Sequence, residues 1–362
     1  MRFRDVLEHH DYDTIAERLR EPAFTAADVD RALSRWESGL DAEDFLALLS
    51  DAAAPRLDEL ADKAQRLTRR HFGDTVALFA PIYLSNTCHS VCTYCGFSFE
   101  NDIKRRTLSV DEAEREARIL LEQGISRVIL LTGEDYVATP VAYLAEVTRR
   151  LAPLLSWTRI EVYPLAEEEY AELGRAGVSA VIVYQETYDR RRYGEVHLKG
   201  RKRRYDDRLD ALDRAARGGI RKLSVGALLG LSDAATDAFM VGLHARHLEE
   251  TYESPEITIS LPRMRPAVGF EQVPEVRDEV YTRYLLATRL FLPRANLIIS
   301  SRESVAYKEH LIPLCITMTS AGANTAPGGY SGGDATEQFD RQDHSSAADT
   351  AELLARRRLR VL

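Results

Sequence analysis

From residue 76 onward, short β-branched apolar runs alternate with amphipathic helical segments, and this alternation restricts the possible folds most. Nearly continuous apolar strands separated by helices are typical of a parallel sheet that is buried on both faces. Eight runs favour an α/β fold of the closed (β/α)8, TIM-type barrel class over the alternative, an open six-stranded partial barrel. The runs cover residues 76–85, 128–131, 160–163, 180–184, 223–227, 257–261, 297–300 and, least clearly, 314–317.

The first seventy-five residues have a helical pattern and carry no cluster of reactive side chains. Thr25 and Asp41 each precede a helical segment and are predicted to be N-terminal caps. A longer helix over 54–70 is expected to end near Gly73. We therefore expect an N-terminal helical extension (1–75), a barrel (76–330) and a C-terminal helical segment (331–362) whose helix lies near 347–358.

Three of the four cysteines follow the first apolar run directly, and Cys88, Cys92 and Cys95 form a C-x3-C-x2-C pattern. Three thiolates on one short loop can each bind one iron of a cubane [4Fe-4S] cluster, which leaves the fourth iron without a protein ligand. An open metal position is typical of a catalytic site. The amine and carboxylate of S-adenosylmethionine can chelate such an iron. The spacing, with Tyr94 before the last cysteine, resembles the signature of the radical S-adenosylmethionine superfamily.

Other interpretations of the cysteines are less favourable. A zinc site needs four closed ligands, but Cys315 lies more than two hundred residues further on and His89 is adjacent to Cys88. A disulfide would leave one of the three cysteines unpaired. A cluster that only carries electrons or stabilises the structure, in a protein that is not an enzyme, is the alternative from a different functional class. Cys315 itself lies in an apolar run and is predicted to be a core residue.

Charge and hydropathy exclude several kinds of partner and location. The start of the chain has no apolar segment typical of a secretory signal, and no apolar stretch is long enough to span a membrane. The net charge of −9 disfavours nonspecific binding to nucleic acid or anionic lipid. We therefore expect a cytoplasmic protein with neither a nucleic-acid nor a membrane partner.

Polar residues follow most of the predicted strands, at the end of a barrel where active sites gather. A carboxylate such as Glu134 suits the ammonium of the methionyl group, Gln185 or Glu186 suits the ribose hydroxyls, and Tyr94 suits the adenine. The strand-end residues are Thr132, Gly133, Glu134 and Asp135; Glu161 and Tyr163; Gln185, Glu186 and Tyr188; Arg263 and Arg265; Ser301, Arg302 and Glu303; and Ser320 and Asn324.

Arginines concentrate after two of the later strands. A guanidinium matches a carboxylate in a two-pronged geometry, so Arg263, Arg265 and Arg302 are candidates for binding the carboxylate of the cofactor or of a substrate. The basic segment 190–204 is predicted to be a solvated or mobile loop, with a lid or a docking surface as the alternatives. His244 and His247 are predicted to be partly exposed helix residues and not a metal pair.

The motifs YLSN-x-C-x3-CTYCGFS, LLTGED, EVYPL, VYQETY, HLKG, LPRMRP, SSRES and PGGY occur in this order between residues 83 and 330. Together they resemble the tyrosine lyases of bacterial thiamine biosynthesis, the 2-iminoacetate synthases, over nearly the whole chain. The resemblance implies a (β/α)8 barrel and a [4Fe-4S] cluster on Cys88, Cys92 and Cys95. It also implies reductive cleavage of S-adenosylmethionine to methionine and a 5′-deoxyadenosyl radical, which takes hydrogen from the amino group of L-tyrosine.

The implied reaction breaks the Cα–Cβ bond and yields p-cresol and 2-iminoacetate, which passes to thiazole synthase. An electron donor such as flavodoxin or ferredoxin is the other implied partner. By motif, Arg302 is expected to bind the tyrosine carboxylate, with Ser320 nearby and Glu303 as a further catalytic candidate. The residues expected to bind the cofactor are Tyr94, Glu134, Asp135, Glu161, Gln185, Glu186, Arg263 and Arg265.

Related enzymes define the alternatives. The tyrosine lyase of hydrogenase maturation adds a cysteine-bearing C-terminal domain, whereas only Cys315 follows Cys95 here, so carbon monoxide and cyanide are not expected products. A tryptophan-cleaving lyase and the deazaflavin-cofactor synthases share several motifs. Met264, where leucine is expected in LPRMRP, is a departure that weakens the assignment of tyrosine.

Overall fold

Eight parallel strands close into a barrel in the computed structural model, which describes residues 2–20 and 23–362. The first and last strands pair directly, with Ala77 opposite Met318, so the predicted closed barrel is confirmed and the open alternative is wrong. The strands are β1 (Thr75–Ser85), β2 (Arg127–Thr132), β3 (Trp157–Glu161), β4 (Ala180–Glu186), β5 (Lys222–Ala227), β6 (Glu256–Ser260), β7 (Asn296–Ile299) and β8 (Met318–Ser320).

Helices cover the outside of the barrel and form most of the N-terminal region. Two 3-10 helices, Asp51–Arg56 and Arg201–Arg203, and three short strands, Val91–Cys92, His197–Lys199 and Arg360–Val361, complete the regular structure. The helices are α1 (Phe3–Leu7), α2 (Tyr12–Arg20), α3 (Ala26–Ser34), α4 (Ala42–Leu49), α5 (Leu57–Phe72), α6 (Val110–Glu122), α7 (Val141–Leu151), α8 (Glu167–Ala176), α9 (Arg190–Val196), α10 (Tyr205–Leu209), α11 (Ala211–Arg217), α12 (Ala234–Thr251), α13 (Asp278–Phe291), α14 (Val305–Cys315) and α15 (Ala347–Arg356).

The predicted position of the eighth strand, 314–317, is wrong. Leu314 and Cys315 form the last turn of α14, and the strand begins only at Met318. The run LIPLCITM is apolar throughout, and a short apolar run does not distinguish a buried helix end from a strand by its periodicity. Ser320 is therefore the last residue of β8 and not a residue of the loop after it. Cys315 is fully buried, as the sequence predicts.

The N-terminal helices pack against α12, α13 and α14 on one side of the barrel. Thr25 and Asp41 each accept a hydrogen bond from the third residue of their helix, which confirms both predicted caps. The ring of Phe45 stacks on that of Phe291 with centroids 4.2 Å apart, and Gly242 of α12 lies against Phe45 where a side chain would not fit. One apolar core runs through this region and the barrel, so we propose that residues 1–75 are an extension of the barrel.

The two histidines of α12 are buried, so their predicted partial exposure is wrong. His244 accepts or donates a hydrogen bond at 2.8 Å to the hydroxyl of Tyr188, and Phe3 stacks on its ring with centroids 4.1 Å apart. His247 lies 3.1 Å from Asp213. The helical pattern of α12 alone did not reveal that α1 covers this face.

Between the barrel and α15, residues 331–346 form an irregular segment that lies against the carboxyl ends of β7 and β8. Buried Lys308 donates to Asp343 at 2.7 Å and to the Ser320 carbonyl at 3.0 Å. The backbone amide of Asp343 also donates to the Ser301 carbonyl. These contacts fix the segment over the barrel mouth. Within residues 2–20 and 23–362, no helix combines the length and the apolar character that crossing a membrane requires.

Candidate active site

A cavity opens at the carboxyl ends of the barrel strands. Its volume is about 1510 Å³, counting the part that is open to solvent. Inward-facing side chains of the strands form the apolar floor, which includes Phe79, Ile129 and Ile298.

The three cysteines of the C-x3-C-x2-C loop line one wall of this cavity. The loop leaves the end of β1, and Cys92 lies in the short strand that pairs antiparallel with His197–Lys199. Gly133 approaches the Thr87 carbonyl so closely that a Cβ would lie 2.1 Å from its oxygen. A glycine after β2 is therefore needed to seat the loop against the barrel.

The chemistry of the three thiols fits a cluster with three protein ligands. All four cysteines are free. Burial, with the neighbouring Cys95, raises the pKa of Cys88 to about 11, and burial also raises the pKa of Cys92. The protein alone therefore does not stabilise thiolates here, and positive metal ions would. In the described residues no group of three or more His, Cys, Asp or Glu side chains is arranged to hold a single metal ion; in a cubane each thiolate binds a different iron.

A paired network of charges lies next to the cysteines. Arg208 donates to Glu134 and to Glu186, both at 3.1 Å, and Lys202 donates to Glu186 at 2.8 Å. Burial alone would raise the pKa of Glu186, but the charges of Lys202 and Arg208 and the lysine's hydrogen bond lower it to about 2. The Glu186 carboxylate is therefore ionised at neutral pH, and the ion pairs hold both carboxylates in place as acceptors for an ammonium or for hydroxyl groups.

Glu186 itself has an unusual backbone conformation. Its φ is 71°, a region that residues other than glycine rarely adopt. The β4–β5 pairing shifts register at this point, between Tyr184 and Glu186. The sequence predicts that Gln185 and Glu186 follow the strand, but they are its last two residues. In this conformation the Glu186 side chain lines the cavity. Strained residues of this kind concentrate at functional sites.

A second wall of the cavity, after β7, carries Arg302, which forms no ion pair in the part of the chain that the structure describes. Its guanidinium lies over the ring of Phe339 at 3.6 Å, and burial lowers its pKa. The Ser320 hydroxyl, also in the lining, is buried with no hydrogen-bond partner among the described residues. A half-buried cation without an ion pair and an unpaired hydroxyl in the same cavity can together bind an anion such as a carboxylate.

Glu161 lies between the two walls, at the end of β3. Burial, and then the charge of Glu186, raises the pKa of Glu161 to about 7. Its carboxylate forms no ion pair within residues 2–20 and 23–362, although it lines the cavity. It is therefore poised between its two protonation states near neutral pH.

The structure brings together many of the residues predicted from the sequence, but not all of them. Asp135 accepts hydrogen bonds from the backbone amides of Val137 and Ala138 and caps that turn. Successive side chains of a strand point to opposite faces. Because Tyr184 and Glu186 line the cavity, Gln185 between them points away from it. The predicted residues in the cavity lining are Cys88, Cys92, Cys95, Tyr94, Thr132, Gly133, Glu134, Glu161, Tyr163, Glu186, Arg265, Ser301, Arg302 and Ser320, and those outside it are Asp135, Gln185, Tyr188, Arg263, Glu303 and Asn324.

Glu303 and Arg263 form a buried support behind the Arg302 wall. Glu303 accepts from Arg265 at 2.8 Å and pairs with Arg263, and Arg263 also pairs with Asp278 at 2.6 Å. A carboxylate held between two guanidiniums is not free to bind a substrate. Its contact with Arg265, which does line the cavity, gives Glu303 a positioning role.

The sequence did not reveal several lining residues. Lys202 lies in the basic segment 190–204, which is largely exposed, as a solvated segment would be, but is not a loop. It forms α9, a strand and a 3-10 helix against the cysteine loop. Arg208 follows in α10. Carboxylates that are buried at strand ends need cations as partners, and this requirement is the one feature of the sequence that predicts Lys202 and Arg208 near the site. Gln338, which accepts from the Tyr83 hydroxyl at 2.7 Å, and Phe339 come from a segment without any motif.

Comparisons with known proteins identify the class. Residues 82–240 match the family described as Radical SAM superfamily, and residues 260–360 match the Biotin and Thiamin Synthesis associated domain. The crystal structure of HydG, a maturase of the [FeFe]-hydrogenase, is similar with a TM-score of 0.92 at 29% identity, covering 99% of this chain and 80% of that one. Barrel, cysteine loop and charged walls are those of a radical S-adenosylmethionine protein.

The curated relatives narrow this class. This chain is 42% identical to the 2-iminoacetate synthase of Escherichia coli over 94% of its own length and 90% of the relative's. It is 40% identical to the 2-iminoacetate synthase of Salmonella typhimurium, over 98% and 93% of the two lengths. The chain belongs to the 2-iminoacetate synthase family.

Proposed function

We propose that the protein cleaves the Cα–Cβ bond of L-tyrosine to 2-iminoacetate and p-cresol, with S-adenosylmethionine converted to methionine and 5′-deoxyadenosine. The proposal depends on one observation: the three cysteines and Arg302, which forms no ion pair with the described residues, line the same cavity. A cluster-bound cofactor and an amino acid held by its carboxylate would then face each other. Family membership supports the same reaction.

The cofactors of this proposal are a [4Fe-4S] cluster on Cys88, Cys92 and Cys95 and S-adenosylmethionine. When bound, they supply a 5′-deoxyadenosyl radical that removes a hydrogen atom from the tyrosine amino group. Glu134 and Glu186 provide carboxylates for the ammonium and the ribose of the cofactor. Arg208 holds both carboxylates in position, and Lys202 holds Glu186. Tyr94, whose hydroxyl is hydrogen-bonded to His197 at 2.8 Å, is a rigid surface for the adenine.

Arg302 and Ser320 position the substrate. The guanidinium, fixed over Phe339, offers a two-pronged contact to the tyrosine carboxylate, and the Ser320 hydroxyl is free to donate to it. Positioning of this kind brings the reacting atoms within attack distance, and it accounts for a large part of the rate in such reactions. The apolar floor excludes water and loose polar groups, which an unselective radical would attack.

Two protein partners belong to the proposal. A one-electron donor such as flavodoxin or ferredoxin has to reduce the cluster for each cleavage of the cofactor, and a second electron with a proton has to convert the hydroxybenzyl radical left by Cα–Cβ cleavage to p-cresol. Thiazole synthase is the proposed recipient of 2-iminoacetate. An imine of this kind hydrolyses readily in water, so transfer to a consuming enzyme limits its loss.

The test uses anaerobically purified, cluster-loaded protein with dithionite, S-adenosylmethionine and L-tyrosine. We expect 5′-deoxyadenosine and p-cresol in equal amounts. Cys92→Ser should lose both products together with the iron content and the cluster absorbance, because only two ligands remain. Cys315→Ser, the matched control at a buried cysteine outside the site, should retain all three.

Other outcomes separate the alternatives. Deoxyadenosine without p-cresol would preserve the class but reject tyrosine; L-tryptophan or the pyrimidine acceptor of deazaflavin synthesis would then be tested in its place. A reducible cluster that never yields deoxyadenosine would support an electron carrier. A Cys92→Ser protein with full cluster and turnover would contradict the ligand assignment.

A further inference from the structure

Exposed apolar side chains concentrate around the outer face of the cysteine loop. Seven large apolar side chains are exposed in the part of the chain that the structure describes. Four of them lie on segments that are hydrogen-bonded to this loop or paired with it. They are Phe99, Val137, Leu198 and Val268, with exposed fractions of 55, 83, 45 and 46%.

Backbone contacts place two of these side chains directly beside the cysteines. The amide of Phe99 donates to the carbonyl of Ser90 at 2.9 Å, between Cys88 and Cys92 in the chain. Leu198 is the middle residue of the short strand His197–Lys199, and His197 in this strand pairs with Cys92. The two side chains therefore flank the outer side of the loop whose inner side faces the cavity.

The other two side chains extend this surface on either side. Asn101 donates to the carbonyls of Cys95, at 3.2 Å, and of Val268, at 2.8 Å. Val137 follows the turn in which the Glu134 carbonyl accepts from the backbone amide of His89 at 3.0 Å. Single exposed apolar residues are ordinary on protein surfaces, but a group of four around one functional loop is typical of an interaction site.

Positive charges border the same surface. Arg201, Arg203 and Arg204 are exposed, and none of them forms an ion pair with a carboxylate in residues 2–20 and 23–362. Lys199, 68% exposed, pairs with Glu100 at 2.8 Å. The whole chain has a net charge of −9, so these arginines form a local basic region on an acidic protein. A region of this kind attracts and orients an acidic partner.

We propose that this surface, the cluster-loop patch formed by Phe99, Val137, Leu198 and Val268 with Arg201, Arg203 and Arg204, is the docking site of a small, acidic, one-electron carrier protein. The inference rests on the proposed function, which requires one external electron for each cleavage of the cofactor. The carrier is oxidised by one electron and the cluster is reduced by one, with no bond made or broken between the proteins.

The chemistry of the patch fits a transient redox encounter. Such complexes have small interfaces, below about 1,200 Å², and steering by opposite charge raises their association rates. A few exposed aromatic or aliphatic side chains then provide most of the contact energy. A carrier seated on the patch approaches the cluster through the loop that binds it.

The test compares two double variants of the full-length, cluster-loaded protein. Phe99→Ser with Leu198→Ser removes apolar contacts, and Arg203→Glu with Arg204→Glu reverses charge. The matched control, Arg115→Glu with Arg149→Glu, makes the same charge change at exposed arginines of α6 and α7, outside the patch. The probe is reduced flavodoxin, a small acidic protein that carries one FMN.

Three quantities are measured for each protein: the dissociation constant for flavodoxin, the rate at which flavodoxin bleaches the cluster absorbance, and deoxyadenosine formed with dithionite. We expect both patch variants to bind at least tenfold more weakly and to be reduced correspondingly more slowly. The loss in the charge variant should diminish at high salt. Cluster content and dithionite-driven turnover should remain at the wild-type level, and the control should behave as wild type in all three measurements.

Wild-type affinity in both patch variants would overturn the docking site. The same conclusion would follow if the variants lost affinity for thiazole synthase and kept it for flavodoxin. Failure of the proposed function looks different, because wild-type protein would then form no deoxyadenosine and p-cresol with dithionite, whatever the binding data show.

Discussion

The two charged walls of the cavity differ in how completely their charges are paired. Beside the cysteines, Glu134 and Glu186 are bound by Arg208 and Lys202 at distances of 2.8–3.1 Å. Across the cavity, Arg302 has an aromatic ring beneath it and no carboxylate partner within residues 2–20 and 23–362. One wall is electrostatically complete before any ligand binds, whereas the other is completed by a ligand.

This difference has a physical consequence for binding. A pre-paired network keeps its geometry and costs little reorganisation when the cofactor arrives, so it favours precise placement. An unpaired buried cation is unfavourable by itself, and an anion that neutralises it gains both the ion pair and relief of that unfavourable state. In the proposed function, the Arg302 wall therefore selects for a carboxylate, and the wall beside the cysteines positions a cofactor whose charges are mixed.

The largest expected effect tests the unpaired wall. Arg302→Met should lower kcat/KM for L-tyrosine about a hundredfold, on the order of 3 kcal/mol, because the substrate carboxylate would lose its charged partner. The affinity for S-adenosylmethionine, measured by equilibrium dialysis, should change little. Arg277→Met, at an exposed arginine outside the cavity lining, is the control. An equal loss of affinity for both ligands would show that the two walls are not functionally separate.

A smaller effect concerns Glu161, which lies between the walls. Its pKa of about 7 in the folded protein is above the usual value near 4.5, so its contribution to stability is complete below pH 4.5 and is lost as the pH rises through 7. Relative to Glu161→Gln, the wild-type apoprotein should therefore lose about 2 kcal/mol of unfolding free energy between pH 5 and 8. Denaturant unfolding under reducing conditions measures the difference. Parallel pH profiles for the two proteins would contradict the raised pKa.

The smallest expected effect tests the paired wall. Lys202→Met should destabilise the protein by about 1.5 kcal/mol, since Glu186 loses a buried charged hydrogen bond but keeps Arg208. The same variant should weaken S-adenosylmethionine binding more than tyrosine binding, the reverse of the Arg302 variant. Lys199→Met, at an exposed lysine of the same segment, is the control. If Lys202→Met altered tyrosine binding instead, Lys202 would belong to the substrate site.

The sequence predicts the carboxylates and Arg302 in these two walls, but not the cations that pair with the carboxylates. The carboxylates Glu134 and Glu186 were predicted because they directly follow or end buried strands, and Arg302 because it follows β7. Their partners were missed. Lys202 and Arg208 lie in helical or irregular segments whose charges look solvated in sequence, and only the pairing of His197–Lys199 with the cysteine loop turns Lys202 inward.

The C-terminal segment shows the same limit. Its amphipathic pattern predicts a helix near 347–358, which is present as α15. Gln338 and Phe339, which precede it, have no periodicity and no motif, yet they complete the cavity wall. A buried ion pair between Lys308 and Asp343, far apart in the chain, holds them there. No local pattern encodes such a contact.

The sequence by itself determined the barrel, the cysteine loop at the end of its first strand and the family, because strand periodicity, ligand spacing and motif order are local properties of the chain. Only the tertiary structure decided which charges are paired, which face of β4 looks inward and which distant segment closes the site. Those outcomes depend on burial and on contacts between residues far apart in the chain, and these arise only when the strands and the segments around them have come together.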